Sequence, residues 1–421
     1  MKKRLGIVLI ILFMAVTWIF WLMVQPTRTI SSMTGYSQLL AAFALVAFAF
    51  INFISTRHGI LDNLFDGLDK SYIYHKYLSI SALILVVIHN ITISIGKSDE
   101  RALGIKGVRD PYAMYGTFSM YLFIILIIIA LVAKKLNYER WKVIHKLMII
   151  PYAMGIYHYY GSATYNVFSI EPFSIWLDTV NLIGILSVIY SIFFYEKTSF
   201  KYKYKVSTLE KVANGTLEIT GTALGKDMNF KPGQFAFLKI LDGKNKFLSH
   251  PFTISQAPKK GELQFTIKAL GDDTKELFNS LEIGNEFVVS GPHGKFNYEN
   301  GEQNQIWIAG GIGVTPFRSF SQSDINKNFS IDFFYAYNNN EEGAYVDELQ
   351  SISRDNLRIH LFNSKEKGFL SVEEITKHVK TKDKVDVYFC GPKPMRDNLI
   401  KQFKDSELNV SNFYFEHFQF K

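Results

Sequence analysis

The fold of the first half of this chain is decided by two segments, IYHKYLSISALILVVIHNITISI at residues 73–95 and WKVIHKLMIIPYAMGIYHYY at residues 141–160. Each has about the 20 apolar residues that a helix needs to cross a bilayer. Each also carries two histidines, and an ionisable side chain at membrane depth is costly enough to indicate a function. His75, His89, His145 and His158 are therefore the first candidate functional residues.

The spacing of these histidines places one of each pair near each face of the membrane. His75 and His89 are fourteen residues apart, and His145 and His158 are thirteen apart. At about 1.5 Å rise per residue, each pair spans roughly 20 Å of a hydrocarbon core of about 30 Å. Two such helices can hold two stacked hemes, each ligated from both sides. Alternatively, the four residues could be interfacial histidines or hydrogen-bonded histidines of the core. The presence of two matched pairs favours heme ligation over this interpretation.

The second segment needs a bend if both of its histidines are to face inward. At about 100° per residue, fourteen residues return to nearly the same face, whereas thirteen leave His145 and His158 about 140° apart on an ideal helix. Pro151 lies between them. Because proline removes a backbone hydrogen bond and kinks a helix, we predict a bend near Pro151 that turns both imidazoles inward.

Six apolar runs predict an all-α bundle of six transmembrane helices. They cover residues 5–24, 36–54, 73–95, 113–133, 141–160 and 173–195. The first run is long, rich in bulky residues and without a small-residue cleavage site, which favours a retained helix over a signal peptide. Basic residues precede the first run (Lys2, Lys3, Arg4), separate the fourth from the fifth (Lys134, Lys135, Arg140, Lys142) and follow the sixth (Lys197, Lys201, Lys203, Lys205). By the positive-inside rule we expect a multi-pass protein of the plasma membrane with both termini in the cytoplasm.

Charge and cysteine content exclude several classes of protein. The net charge of +8 comes from basic residues that flank the apolar runs, so it indicates membrane topology rather than nucleic-acid binding. The segment between the third and fourth runs, with Lys97, Arg101, Lys106 and Arg109, is also basic and opposes the predicted orientation, but the balance of charge still favours cytoplasmic termini. The single cysteine, Cys390, excludes disulfides, cysteine-ligated iron–sulfur clusters and covalent c-type heme attachment. A heme in this chain would be held by histidine alone.

The second half changes to the alternation of apolar and polar residues that is typical of half-buried antiparallel strands, and from about residue 305 to alternating strands and helices. This pattern predicts a β-barrel followed by a small parallel α/β domain. We therefore expect three domains, a membrane domain at residues 1–196, a barrel at 197–300 and an α/β domain at 301–421.

Three short motifs lie at the ends of these predicted strands. GGIGVTP at 310–316 can bring the backbone close to a pyrophosphate at a helix N-terminus. HPFTIS at 250–255 offers an aromatic ring and hydroxyls to a flavin, and CGP at 390–392 ends a strand where ligands of α/β sheets gather. Taken singly, each motif could also be a structural turn or an ordinary strand.

In this order the motifs resemble the ferredoxin–NADP reductase family. Joined to the membrane half, they are similar to the NADPH oxidase/ferric reductase superfamily in a short bacterial-type form. The resemblance extends over roughly residues 5–421. It includes the four histidines, KPGQF at 231–235, HPFT at 250–253, TIKALG at 266–271, GPHG at 291–294, GGIGVTP at 310–316 and CGP at 390–392.

The resemblance implies FAD, NADPH and two b-type hemes as cofactors, with the four histidines as iron ligands. It implies a flavin site at His250, Pro251, Phe252, Thr253 and Ser255, with Lys268, Gly271 and Thr274 near the flavin phosphates. It implies a nicotinamide site at Gly310, Gly311, Gly313, Thr315, Pro316, Cys390, Gly391 and Pro392. Cys390 would lie by the nicotinamide ring as a catalytic residue. Phe418 would be the terminal aromatic that covers the flavin, with Phe420 as the alternative.

Coenzyme and acceptor remain open at this stage. Asn338 to Glu342 would not favour a 2′-phosphate, whereas Ser364, Lys365 and Lys367 lie where relatives bind one, so we expect NADPH with tolerance for NADH. The electron acceptor could be external oxygen, giving superoxide, or a ferric chelate or other metal. A heme-bearing subunit serving a partner protein is a third interpretation, which the attached flavin and nicotinamide domains disfavour. No calcium-binding loop pattern is present, so we expect activity without an obligatory protein activator.

Overall fold

The structure, a computed structural model, describes residues 5–24, 32–102, 110–132, 138–163, 167–241, 249–379 and 383–416. It divides into two compact units, one ending at Lys197 and the other beginning at Thr198. The first unit is helical, and the second contains two sheets with their helices.

The helices of the first unit follow the apolar runs. They are α1 (Leu5–Val24), α2 (Ser32–Ser55), α3 (Ile60–Leu64), α4 (Leu68–Ala102), α5 (Ala113–Val132), α6 (Tyr138–Lys146), α7 (Ile149–Ser162) and α8 (Pro172–Ile189), which continues through a π-helical turn (Tyr190–Phe194) into α9 (Tyr195–Ser199). Among the described residues, five helices are long and apolar enough to cross a membrane: α1, α2, α4, α5 and α8 with its continuation. The fifth predicted run, 141–160, is divided between α6 and α7, so the count of six spans remains a prediction.

The interruption of the fifth run lies one turn before the predicted bend. The N–H groups of Leu147, Met148 and Ile150 donate to carbonyls three residues earlier, the tight pattern of a 3₁₀ turn. Pro151 then stands in the first turn of α7, where its missing N–H would have no helical partner in any case. His145 and His158 therefore lie on two separate helices, which removes the constraint that thirteen residues would impose on one straight helix.

Helix α2 is the most enclosed helix of the first unit. Ala47 and Ile51 on one side pack against Ala82 of α4, and Val46, Ala49 and Phe50 on another pack against Val180 of α8. The alanines among these residues, at 47, 49 and 82, allow close approach between helices. By contrast, α1 and α5 expose most of their Leu and Ile side chains, the apolar exterior that lipid tails surround.

The first sheet of the second unit is antiparallel and open. Its strands are β1 (Tyr202–Ala213), β2 (Thr216–Ala223), β3 (Phe235–Ile240), β4 (His250–Thr253), β5 (Glu262–Lys268) and β6 (Glu286–His293), in the order β4-β3-β6-β1-β2-β5, with α10 (Asp272–Ser280) after β5. Beyond the paired strands, a single bridge between Ile254 and Phe265 joins its two edges. Within the described residues the predicted β-barrel is therefore not closed, because β4 ends after four residues and offers too short an edge for a continuous ladder.

The second sheet is parallel and covered on both faces. Its strands are β7 (Asn304–Gly310), β8 (Ser330–Tyr337), β9 (Leu357–Asn363), β10 (Val385–Cys390) and β11 (Val410–Phe415), in the order β11-β10-β7-β8-β9. Its helices are α11 (Thr315–Gln322), α12 (Val346–Ser351), α13 (Ser364–Lys367), α14 (Val372–His378) and α15 (Lys393–Lys404). The chain builds outward from β7 to β9 and then crosses to β10 on the other side of β7. The strand order therefore reverses between β7 and β10, at the kind of position where open α/β sheets bind ligands.

Candidate functional site: paired imidazoles and the cofactor loops

The four histidines of the helical unit form two pairs, and each pair joins a histidine of α4 to one of α6 or α7. The ring centres of His75 and His145 are 6.0 Å apart, and those of His89 and His158 are 6.3 Å apart. Two imidazoles on opposite sides of one metal ion, with bonds of about 2 Å to their nitrogens, have ring centres roughly 6 Å apart. The spacing of both pairs therefore fits a heme, whose iron two histidines would hold.

Backbone carbonyls fix which nitrogen of the imidazoles is available. His75 Nδ1 lies 3.3 Å from the carbonyl of Ile51, and His89 Nδ1 lies 2.9 Å from that of Ser37. His158 Nδ1 lies 3.1 Å from the carbonyl of Tyr112. Because a carbonyl only accepts, Nδ1 carries the proton in each case and Nε2 keeps a free lone pair. Histidines that bind metals are held in this way, with the second nitrogen donating to a carbonyl or carboxylate.

The carbonyls of α2 repeat the spacing of the histidines on α4. Ser37 and Ile51 are fourteen residues apart on α2, as His75 and His89 are on α4. The hydroxyl of Ser37 also lies 2.8 Å from His89 Nδ1. The central helix α2 therefore orients both imidazoles of α4 through its backbone, which explains why it must approach α4 closely.

Ring packing holds the imidazole of His145, and a glycine leaves room for the imidazole of His158. Trp141, one turn before His145 on α6, stacks on its imidazole with ring centres 4.9 Å apart and planes inclined by 12°. On α5, a Cβ added to Gly116 would lie 2.6 Å from the ring of His158. Glycine at 116 therefore leaves the space that the His158 imidazole occupies.

In the second unit, two glycine-containing segments meet at the carboxyl ends of β7 and β10. The loop at 310–314 follows β7, and Cys390 ends β10 beside it. A Cβ added to Gly313 would overlap the carbonyl group of Cys390 and lie 2.9 Å from the N–H nitrogen of Gly391. Gly311 has a φ of +56°, in the left-handed region that glycine adopts without strain. The structure thus brings together the residues predicted for the nicotinamide site at the reversal of strand order.

The residues predicted for the flavin site lie on β4 and at the start of α10. His250 Nε2 is 2.9 Å from Asp273 Oδ2, which joins the 250–255 segment to the segment predicted to approach the flavin phosphates. In that segment, the Thr274 hydroxyl accepts hydrogen bonds from the N–H groups of Leu270 and Gly271. Thr253 and Ser255 are buried. Lys268 forms an ion pair of 2.9 Å with Glu342.

The thiol of Cys390 is fully protected from solvent. Burial, and to a smaller extent the carboxylate of Glu416, raises the pKa of the Cys390 thiol well above its usual range. Cys390 is therefore a neutral thiol at physiological pH, a small apolar group beside the 310–314 loop rather than a nucleophile. Phe418 and Phe420, the two candidates for the terminal aromatic, lie outside the described residues.

Three regions of the chain match known protein families. Residues 38–156 match the family described as ferric reductase like transmembrane component, residues 201–316 match an FAD-binding domain, and residues 307–400 match an oxidoreductase NAD-binding domain. Together these three matches are consistent with the NADPH oxidase/ferric reductase superfamily. This ferric-reductase-like chain is therefore a membrane oxidoreductase with FAD- and NAD-binding domains.

Two curated relatives each match about half of this ferric-reductase-like chain. It is 25% identical over 228 residues to the 2-halobenzoate 1,2-dioxygenase electron transfer component of Burkholderia cepacia, which covers 51% of the chain and 66% of that relative. It is 28% identical over 208 residues to the glycine betaine monooxygenase reductase subunit of Chromohalobacter salexigens, covering 45% of the chain and 56% of that relative. A solved structure of phthalate dioxygenase reductase aligns with a TM-score of 0.43 at 20% identity, over 51% of the chain and 68% of that structure. The chain thus spans less than two thirds of the length of the first two curated relatives.

Several groups at these sites were not identified from the sequence. They are the carbonyls of Ser37, Ile51 and Tyr112, the stacked ring of Trp141 and the glycine at 116. A backbone carbonyl has no sequence signature of its own. Trp141 could have been found, because it lies four residues before His145 and such residues are neighbours on a helix surface.

Proposed function

We propose that the chain is an NADPH oxidase, which carries electrons from cytosolic NADPH through FAD and two b-type hemes to external oxygen and releases superoxide. The observation that supports this most strongly is the geometry of the two imidazole pairs, with ring centres 6.0 and 6.3 Å apart and three of the four Nδ1 atoms bonded to backbone carbonyls. FAD supplies the conversion that the reaction needs, because it takes two electrons as hydride and releases them singly.

Each residue set has a separate task in this proposal. His75 and His145 hold the heme on the cytoplasmic side, and His89 and His158 hold the heme on the outer side. The loop at 310–316 binds the NADPH pyrophosphate, and Cys390 packs by the nicotinamide ring. The segment at 250–255 binds the flavin, and Phe418 covers it. We further propose six membrane spans, termini in the cytoplasm of a plasma-membrane protein, the three domain boundaries given above, and activity without a protein activator.

Reduction of a ferric chelate or another external metal is the second candidate. Lys97 and Arg101 are exposed at the end of α4 that follows His89, where their charge would attract an anionic chelate. Oxygen needs only a small opening beside the outer heme and no charged surface.

The acceptor can be identified by NADPH-driven reduction of cytochrome c by the purified, heme-loaded chain. We expect superoxide dismutase to abolish the signal, because superoxide would be the species that reduces cytochrome c. The comparison uses the same enzyme preparation with active and with heat-inactivated dismutase. A signal that persists with active dismutase would instead show direct transfer to the acceptor and favour the metal reductase. Turnover without any partner protein would exclude a heme subunit that depends on one.

We propose NADPH as coenzyme, with tolerance for NADH. Lys365 and Lys367 are exposed on α13 at the carboxyl end of β9, and the Lys365 N–H donates to the carbonyl of Asn338 at the end of β8. Glu342, which would repel a 2′-phosphate, is paired with Lys268. We expect kcat/KM values for NADPH and NADH within about one order of magnitude, measured as flavin reduction by each coenzyme. A strong preference for NADH would contradict this assignment, and Lys365→Ala should lower kcat/KM for NADPH only.

A further inference from the structure

A buried network of charged groups joins the two sheets of the second unit. Arg318, on α11, donates from Nε to both carboxylate oxygens of Glu348, at 2.9 and 2.8 Å. Its Nη1 lies 3.0 Å from the carbonyl of Ser255 and 3.2 Å from Glu218 Oε2. The side chains of Arg318 and Glu218 are 9% and 7% exposed, so the guanidinium is enclosed between the first sheet and α12.

Tyr345 completes the network in a strained conformation. Its φ of 63° and ψ of 21° place a bulky residue in the left-handed region, which the surrounding structure must enforce. The ring centre lies 4.0 Å from the Arg318 guanidinium carbon. The hydroxyl donates to Glu218 and lies 2.6 Å from Thr266 Oγ1 on β5. Strain at a residue with these three contacts indicates that the contacts enforce its backbone conformation.

The network connects the two segments that are expected to hold the cofactors. Helix α11 begins directly after the 310–314 loop, so Arg318 and Ser319 move with that loop. Ser255 ends the 250–255 segment, and its hydroxyl accepts a hydrogen bond of 2.8 Å from Thr266. Ser319 adds a second link, donating to the carbonyl of Gln256 at 2.6 Å. Any rotation of α11 away from the first sheet would therefore break buried hydrogen bonds to charged groups.

A buried charged network of this kind contributes more to holding the segments it joins in one relative position than to the stability of the fold. Desolvation offsets much of the attraction within buried ion pairs, and their best-supported role is to select one geometry. Hydride transfer requires that geometry, because a misplacement of about 1 Å can lower a rate by about a hundredfold. We propose that Arg318, Glu218 and Tyr345 are positioning residues that hold the 310–314 loop in place against the 250–255 segment for hydride transfer. This inference rests on the proposed function.

The test is anaerobic stopped-flow reduction of the FAD-loaded full chain by NADPH, comparing wild type with Tyr345→Phe. The variant keeps the ring beneath the guanidinium and removes the hydroxyl that bonds to Glu218 and Thr266. We expect the limiting rate of flavin reduction to fall about tenfold or more and the long-wavelength charge-transfer absorbance to weaken. The dissociation constants of FAD and NADPH should each stay within about twofold, because no group that binds either coenzyme is removed. Tyr298→Phe is the matched control, since it removes a hydroxyl from another buried tyrosine of the same core.

A second variant, Glu218→Gln, keeps the shape of the side chain and removes its charge, and it should show the same separation of rate from affinity. An unchanged limiting rate and charge-transfer band in Tyr345→Phe would overturn the inference while leaving the proposed function intact. Loss of FAD binding in both variants would also overturn it, because the network would then be merely structural. If NADPH fails to reduce the flavin of the wild-type chain, the proposed function fails and this inference fails with it.

Discussion

Replacement of His75 or His145 by leucine is expected to lower the heme content of the purified protein from two hemes per chain to one. Leucine fills a similar volume but offers no nitrogen, so the partner imidazole, whose ring centre lies 6.0 Å away, would be left as a single ligand. Transfer to the external acceptor should fall to background while NADPH still reduces the flavin. Heme-to-protein ratio, measured by the pyridine hemochrome spectrum, and the absorbance of flavin and heme after mixing with NADPH report the two effects separately.

The control for this experiment is His58→Leu. His58 is exposed between α2 and α3 and belongs to neither imidazole pair. It undergoes the same chemical change in the same unit, so it should keep both hemes and full transfer. Full heme content together with normal transfer in His75→Leu would show that the ligand assignment is wrong.

The second large effect is expected at the other end of the electron path. Gly313→Ala should lower the rate of flavin reduction by NADPH about a hundredfold, because a displacement of about 1 Å at the reacting groups has an effect of that size. The added Cβ would overlap the carbonyl of Cys390 and approach the Gly391 nitrogen at 2.9 Å. Both are backbone groups that cannot rotate away, so the loop and the end of β10 must separate. FAD and heme content should remain unchanged.

Stopped-flow mixing with NADPH measures this rate, and chemical reduction with dithionite checks that the hemes of Gly313→Ala still respond normally. Gly215→Ala is the matched control, because it adds a methyl group at a φ of +64° where no atom lies within 4 Å. Strain there should cost about 1–2 kcal/mol of stability and lower the Tm without slowing flavin reduction. Wild-type kinetics in Gly313→Ala would refute the requirement for close contact between the loop and β10.

The sequence was most informative where the hydrophobic effect acts alone. Apolar runs located the helices, and the spacing of His75 and His89 placed them on one face of α4. Pro151 correctly indicated an interruption, but the break lies at Leu147 and Met148. A proline is accommodated in the first turn of a helix, so the disruption moves to the residues before it.

Contacts between residues far apart in the chain were harder to predict from the sequence. Alternating residues predicted the strands of the first sheet, but closure depends on whether its two edges, β4 and β5, meet. Within the part of the chain that the structure describes, a single bridge between Ile254 and Phe265 joins those edges. The contact between Tyr345 and Glu218 links residues 127 positions apart, so no local sequence pattern predicts it. The carbonyl partners of the histidines could not be predicted for a different reason, because every residue type carries the same backbone carbonyl group.

The burial of Cys390 has a practical consequence. The chain contains one cysteine, and its side chain is enclosed at the end of β10. A cysteine introduced at an exposed position would therefore be the sole thiol that a maleimide or methanethiosulfonate reagent meets in the folded protein. Spin labels or fluorophores could then be attached in pairs to the second unit without first removing the native thiol, so that distances between its two sheets could be followed during turnover.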